Sequence, residues 1–390
     1  MPEAVIVAAC RTAIGTAYKG TLVDTSAFDL AHAVVSDAVH RSGLDPARFD
    51  DIVLAESLYG GGDIARYAAV TTGLVGAPGL ALNRHCASGL SAVQTAAANI
   101  RAGMMEAVVA GGVQSSSTAP VSKWRTPGTD DWEDRWISPS HPDTADAPNR
   151  DMSITVGWNS AVAAGVSREE MDAWALGSHQ KAIAAIDGGR FVEEIVPLKV
   201  TARDGSSRIF EVDEHPRRDT SMERLAALKP LHPEIEGFSI TPGNSSGLND
   251  GAAALVVVSD GVAAAESLPV LATVRSWASA GVDPADTGLA PTKAIPKALR
   301  LAGIDIGDVA LWEINEAFAS MCVATTRILG IDAALVNTSG SGCSLGHPIA
   351  ATGARMLTTL AYELRRRGGG IGVAAMCAGG GMGSATVIEV

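Results

Sequence analysis

Asp51-Ile52-Val53-Leu54-Ala55-Glu56 and Asp308-Val309-Ala310-Leu311-Trp312-Glu313 share one pattern: aspartate, a β-branched residue, a leucine two positions on, and a closing glutamate. The match extends in both directions. Upstream, Ala38-Val39-His40-Arg41-Ser42-Gly43-Leu44-Asp45 is mirrored by Ala298-Leu299-Arg300-Leu301-Ala302-Gly303-Ile304-Asp305. Downstream, Ser88-Gly89 and Thr352-Gly353 each open a helical stretch that leads to an apolar strand and a glycine pair, Gly111-Gly112 and Gly379-Gly380. Gly251 to Val258 then corresponds to Gly383 to Val390. Matches in the same order indicate a duplication, and self-similarity of this kind takes precedence over any motif.

Spacing locates an insertion. Three residues separate Gly380 from Gly383, whereas 139 separate Gly112 from Gly251, so roughly 136 residues interrupt the first copy before its last strand. Insertions of this kind sit on loops. Each copy alternates strand and helix, which calls for an α/β sheet covered by helices. The expected organisation is a first half made of residues 1–116 with 246–266, an inserted loop domain at 117–245, and a second half at 267–390. Within the insertion, Ser167 and Glu170 form a capping-box pattern ahead of a helix from Arg168 to Asp187.

Composition narrows the function classes. Of 390 residues, 47% are hydrophobic, enough for large cores; 43 acidic against 30 basic residues leave a charge of -13. With no basic block, nucleic acid is an unsuitable partner, because phosphate neutralisation needs clustered Lys and Arg. The uncharged stretch Tyr67 to Asn83 is broken by Gly73, Gly76, Pro78 and Gly79, so no membrane span is expected. The N-terminus goes straight into the strand-like Ala4 to Ala9 without a charged and then apolar leader, a cytoplasmic start. Five cysteines (10, 86, 322, 343 and 377) are odd in number and widely spaced. In a reducing compartment they stay thiols, each either core filler or reagent.

Position sorts them. Cys86 lies at a helix entry, where N–H groups and the positive helix end are expected to lower its pKa and make it a nucleophile. Cys377 ends an apolar strand before a glycine run that a substrate can approach closely. His347, in Gly346-His347-Pro348, occupies the helix-entry region of its copy as Cys86 does of the other. Pseudo-symmetric packing would bring thiol and imidazole together as nucleophile and base; the plain alternative is an exposed histidine at a helix start. Asn315 follows a repeated strand and either serves an oxyanion or caps a helix. Gly243-Asn244-Ser245-Ser246-Gly247 fits the G-x-S-x-G serine-hydrolase pattern after a possible strand at Phe238 to Thr241, but Asn249-Asp250-Gly251 interrupts the helix such an elbow needs. Neither a P-loop nor a dinucleotide fingerprint is present. Cys343 and His347 lack the further cysteines of a zinc site, so no metal is expected.

Together, Arg11 to Gly15, Asn83 to Gly89, Gly243 to Ala253, Asn315-Glu316-Ala317-Phe318, Gly346-His347-Pro348 and Cys377 to Gly383 resemble the thiolase family over essentially the whole chain. The resemblance implies the thiolase fold, two pseudo-symmetric βαβαβ halves with an inserted loop domain. It implies a CoA-dependent acyltransferase that cleaves 3-ketoacyl-CoA or runs the reverse Claisen condensation, as in fatty acid β-oxidation and related lipid metabolism. Coenzyme A is then a substrate, with no permanently bound cofactor, and the protein a homodimer or homotetramer.

Carried over by motif, Cys86 resembles the acylated nucleophile, His347 its base and Cys377 the second acid/base. Asn315 with His347 resembles one oxyanion hole, and the N–H groups of Cys86 and Gly379 the other. Ser246, Arg217, Met152, Ala317 and Phe318 fall where relatives contact CoA or line the acyl site. Family members usually read Gly-Gly-Ala-Ile-Ala-x-Gly-His-Pro where this chain has Ser339 to Pro348, tend to have glycine at Ala350, and in short-chain members often carry His-Met at Asp151-Met152. The competing readings are a decarboxylating β-ketoacyl synthase, which resembles Cys-His-His or Cys-His-Asn sets without Cys377, a serine hydrolase using Ser245, and an inactive binding protein. Cys10 and Cys322 are expected to be packing residues; Cys343 is left open.

Overall fold

A computed structural model describes residues 1–57 and 62–390. Its core strands are β1 (Ala4–Thr12), β2 (Asp51–Glu56), β3 (Leu80–Leu82), β4 (Ala107–Gln114), β5 (Asn249–Ser259), β6 (Ala272–Gly281), β7 (Val309–Ile314), β8 (Ile371–Ala378) and β9 (Met382–Glu389). The helices that matter for the site are α1 (Ala27–Ser42), α2 (Ile64–Thr71), α3 (Ser88–Arg101), α4 (Arg168–Asp187), α5 (Pro291–Ala302), α6 (Ala319–Leu329) and α7 (Thr352–Arg366). Along the sheet the order is β7-β8-β9-β6-β1-β5-β4-β2-β3, with Gly15–Thr16 and Ile195–Val196 pairing onto β5 and β1.

Apart from the edge strand β3, that order repeats outward from the centre. From the centre outward, β1 then β5, β4 and β2 answers β6 then β9, β8 and β7. The pairing directions agree: β2 with β4 and β7 with β8 are parallel, and the remaining pairs that the halves share are antiparallel, while the unmatched β3 runs parallel to β2. The halves join where Val5 and Ile6 of β1 meet Thr273 and Ala272 of β6. The duplication read from sequence is therefore a duplication of topology.

Alternation of side chains on each strand produces three cores and hence five layers. One face of the first half, including Val5, Val7 and Cys10, packs under α1 and α2. The matching face of the second half, including Val373, Ala375 and Cys377, packs under α5 and α6. The inward faces of both halves, with Ile6, Ala110, Ala374 and Met376, close on α3 and α7. These two central helices meet where neither has a side chain: a Cβ built on Gly353 would lie 2.3 Å from the Leu90 nitrogen, and one on Gly89 would lie 2.7 Å from the Ala354 nitrogen. The glycines are the repeat partners noted in the sequence.

The region between β4 and β5 contains α4, whose capping box forms as expected from Ser167 and Glu170. It is fastened to the first strand by a buried ionic group. Arg11 bonds Glu194 at 2.6 Å and Asp213 at 2.8 and 2.9 Å, and its guanidinium lies 4.7 Å from the Phe191 ring centre. Removing one partner of such a group strands a buried charge, which costs about 3–5 kcal/mol. Phe238 to Thr241 forms no strand; instead the Thr241 N–H donates to Asn244 Oδ1 and the Leu231 N–H donates to the Ile240 carbonyl. Of the insertion's tryptophans, Trp124 and Trp136 stack at 4.6 Å beside an exposed hairpin, and Trp158 packs on Phe238.

The glycine crossing makes a signed prediction. Gly353→Ala should destabilise by ~1–3 kcal/mol through overpacking. Gly177→Ala, in α4 with nothing within 4 Å of the new methyl, should instead stabilise by about 1 kcal/mol through helix propensity. Urea unfolding of both variants checks the contrast; equal effects would reject the packing argument.

Candidate active site

The site is built where the central helices begin. His85 has φ of 47°, a left-handed conformation that costs a non-glycine residue on the order of 1–3 kcal/mol. The bend is held from both sides: the His85 N–H donates to Asn83 Oδ1 at 2.7 Å, and Ser88 Oγ donates to the His85 carbonyl at 2.6 Å. Cys86 follows at once, half-buried, ahead of α3. The N–H groups of Gly379 and of Cys86 itself face its sulfur.

The thiol's acidity differs from the sequence expectation. Burial pushes Cys86 up to about 11, and those two N–H groups only partly offset it. A helix entry inside a dry interior lacks the solvent that makes a helix end a thiolate site. At rest Cys86 is a thiol.

His347 is buried rather than exposed, and α7 starts five residues after it. Its main-chain N–H donates to Asn249 Oδ1 at 3.0 Å, and Asn249 Nδ2 donates to the Gly15 carbonyl at 3.0 Å. Gly346 precedes it at φ of 105°, where a Cβ would lie 2.5 Å from the Asn249 amide. On the ring, Nδ1 lies 2.7 Å from Thr352 Oγ1, whose own hydrogen reaches the Pro348 carbonyl at 2.9 Å. Thr352 therefore accepts from Nδ1–H, which leaves Nε2 as the basic nitrogen. Burial, with the Arg355 charge, drives the imidazole down to about 3, so it is neutral.

Asn315 is not a helix cap: α6 begins at Ala319, with Phe318 before it. Its Nδ2 lies 3.4 Å from His347 Nε2, while Oδ1 is buried with no protein partner. Cys377, on β8, is buried with its Sγ 3.4 Å from Met321 Sδ. Burial, followed by the charge of neighbouring Cys86, raises its pKa well above a free thiol. Cys86, Cys377 and Gly379 are thus neighbours, as are Asn315 and His347, and the Asn315 N–H donates at 3.0 Å to the carbonyl of Ala375, two residues before Cys377.

Met152 Sδ would be 3.8 Å from a Cβ at Gly379, and Phe318 packs on the Gly157 backbone. Ser246 donates from its N–H to the Ala317 carbonyl at 2.9 Å. Arg217 is exposed, linked inward by its N–H to His179 Nδ1 at 3.1 Å. Ser245 Oγ donates to the Thr241 carbonyl at 2.7 Å, and the chain after it enters β5 rather than a helix, so the hydrolase geometry is not present. Cys10 and Cys322 are buried packing thiols, and Cys343 joins them: its N–H bonds Glu316 and its sulfur the Glu316 carbonyl at 3.7 Å.

Sequence reading missed Asn249, Thr352 and Glu316. Glu316 accepts from Trp174, Ser178, Asn337 and Cys343, locking the loop that leads to His347. Thr352 was available through the repeat, since it aligns with Ser88, and both hydroxyls bond the turn ahead of their helix. Among the described residues, no three His, Cys, Asp or Glu side chains group as a metal site would need, and no helix is long and apolar enough to cross a membrane.

Comparison with known proteins agrees with this geometry. Residues 4–261 match the family described as thiolase, N-terminal domain, and residues 268–390 match thiolase, C-terminal domain. An acetyl-CoA acetyltransferase of Pseudomonas aeruginosa is 43% identical, covering 100% of this chain and 99% of its own, and one of Escherichia coli is 39% identical with the same coverage. Among solved structures, the Bacillus anthracis acetyl-CoA acetyltransferase superposes with a TM-score of 0.90 at 36% identity, covering 100% of this chain and 99% of that one. Human mitochondrial 3-ketoacyl-CoA thiolase gives 0.91 at 33%, with the same coverage. Full-length similarity in sequence and in fold leads to one conclusion: this chain belongs to the thiolase family.

Proposed function

We propose that the protein is a CoA-dependent acyltransferase that cleaves 3-ketoacyl-CoA with CoA, or condenses two acyl-CoAs, through an acyl group on Cys86. The observation that carries this reading is the presence of two neighbouring thiols, Cys86 and Cys377, together with a neutral imidazole whose basic Nε2 faces Asn315 Nδ2. In thiolysis, Cys86 Sγ attacks the C3 ketone while His347 Nε2 takes the thiol proton. The N–H groups of Cys86 and Gly379 receive the oxyanion. The C2–C3 bond then breaks, the acyl group remains on sulfur, and the acetyl-CoA carbanion takes the Cys377 proton. Asn315, through a water, and His347 hold the enolate oxygen. A second CoA thiol attacks the acyl-cysteine; its proton goes to Cys377, and His347 returns its own to Cys86.

The protonation states fit those roles. A neutral imidazole accepts a proton without first losing one, and a thiol of raised pKa is a suitable donor to a carbanion and, once ionised, a strong base for an α-proton. Ser246 and exposed Arg217 hold CoA, so local positive charge suffices despite -13 overall. Met152, Ala317 and Phe318 line the acyl side. The acetyl-CoA activity named for the relatives supports a short acyl group. We assign the protein to the cytoplasm and to lipid breakdown of the β-oxidation type, as a homodimer or homotetramer; the exposed tryptophan hairpin supports a contact between copies.

Acetoacetyl-CoA plus CoA should lose its 3-ketoacyl absorbance in the presence of the protein. Acetyl-CoA alone should leave an adduct on the Cys86 peptide, in the wild type and in Cys377→Ala, while Cys377→Ala loses α-proton exchange. Full turnover by Cys86→Ser would sink the reading. Asn315→Ala should lower kcat by roughly 10²–10³. Because Cys86 titrates only near 11, its alkylation by iodoacetamide should climb up to about tenfold per pH unit from about pH 7 to about pH 10; a plateau near pH 8 would contradict the buried-thiol description.

A further inference from the structure

The wall beside Met152 carries a group that the mechanism does not use. Asp151 precedes Met152 and stands where short-chain relatives often have histidine. Its Oδ2 lies 2.8 Å from His232 Nε2, and His232 Nδ1 lies 2.7 Å from Glu234 Oε1. The other Asp151 oxygen accepts from Ser153, through N–H at 3.0 Å and Oγ at 2.6 Å. The imidazole also sits edge-on to Phe238, 4.9 Å between ring centres, and Phe238 in turn packs on Trp158.

The geometry settles the ring's charge. Neutral imidazole carries one N–H and can donate to one carboxylate only; here both nitrogens lie against carboxylate oxygens, so both must be donors. The charged groups facing the ring are Asp151, from the segment leading into Met152, and Glu234, from its own turn; Phe238, its third neighbour, is uncharged. We propose that His232 is a positioning residue: as an imidazolium it clamps Asp151, and with it the Met152 side of the acyl wall, to the loop that runs on to Ser246, so acyl substrates bind more tightly when this histidine is protonated. The proposal rests on the thiolysis reading for what the wall contacts.

Electrostatics agree in sign. The bond to Glu234, then the Asp151 charge, raises the His232 pKa despite partial burial. Burial pushes Asp151 up, but its bonds from Ser153 and the positive His232 carry it below the usual carboxylate range. A group raised on folding contributes below its titration and loses that contribution as pH rises through it. The clamp therefore tightens on the acid side and opens on the alkaline side.

The test compares KM and kcat for acetoacetyl-CoA thiolysis from about pH 6 to about pH 9, with wild type and variants run side by side so that titration of CoA and substrate cancels. Relative to wild type, His232→Gln should raise KM about two- to fivefold at the acid end, the scale of a partly exposed ion pair, and the ratio should fall to one at the alkaline end with kcat unchanged. His232→Lys keeps a cation throughout and should hold the low KM across the range. Asp151→Asn should behave as His232→Gln, and Asp151→Glu should restore most of the difference. Carbon-13 imidazole NMR, with His232 assigned by its loss in His232→Gln, should show titration above the ordinary histidine value of ~6.5, moving down in Asp151→Asn. A KM ratio that is flat with pH, or an ordinary titration, would overturn the clamp. Absence of turnover in every form would overturn only the thiolysis reading, and the NMR titration would still decide the clamp.

Discussion

Two helices can approach backbone to backbone only where both lack side chains, and the molecule is arranged around one such contact. Gly89 in α3 and Gly353 in α7 let the two helix starts cross at a distance that no Cβ would tolerate. The turns ahead of those helices carry Cys86 and His347. The groups proposed as nucleophile and base thus come from opposite halves of a duplicated chain, beside a crossing that neither half can make alone. The sandwich of sheet faces above and below keeps the crossing dry.

Dryness also sets the proton inventory. In water the three reacting groups would titrate within a few units of neutrality; here the thiols are pushed up and the imidazole down, so all three are neutral at rest. In the proposed reaction charge appears only as it proceeds, facing the N–H groups of Cys86 and Gly379 on one side and Asn315 on the other. Preorganised dipoles in a low-dielectric pocket are the usual source of large rate effects. Asn249 and Thr352 extend that order outward, one fixing the main chain of His347 and the other its tautomer.

The layered fold was legible because duplication leaves a pattern along the chain: paired Asp-x-x-Leu-x-Glu strands and paired glycine helix entries appear in register. Cys86 and His347 were singled out at equivalent helix entries, Cys377 at a strand end before its glycine run and Asn315 after a repeated strand, while the place of Gly379 came from motif resemblance alone. What escaped was set across long sequence separations. Asn249 lies 98 positions from the backbone it holds, and nothing local to Asn249-Asp250-Gly251 announces that bond. Phe238 to Thr241 reads as a possible strand, yet its bonds go to Asn244 and Leu231. The acidity of Cys86 was misread because a helix entry is a local feature, whereas desolvation comes from the other half of the molecule.

The first strand shows what the interrupted half implies for a chain made from one end to the other. β1 finds its neighbour β5 only at Asn249–Ser259, and Arg11 finds its carboxylates only at Glu194 and Asp213. At the usual ~5–20 residues per second of synthesis, those partners leave the ribosome tens of seconds after β1 does. During that interval Val5, Ile6 and Val7 have no β5 or β6 to pair with, and the Arg11 charge has no counter-ions. The second half is contiguous, and its β6 waits less than half as long for β9. The nascent protein therefore passes through a long stage in which its oldest strand is its least finished, and that stage is where a chaperone would be needed most.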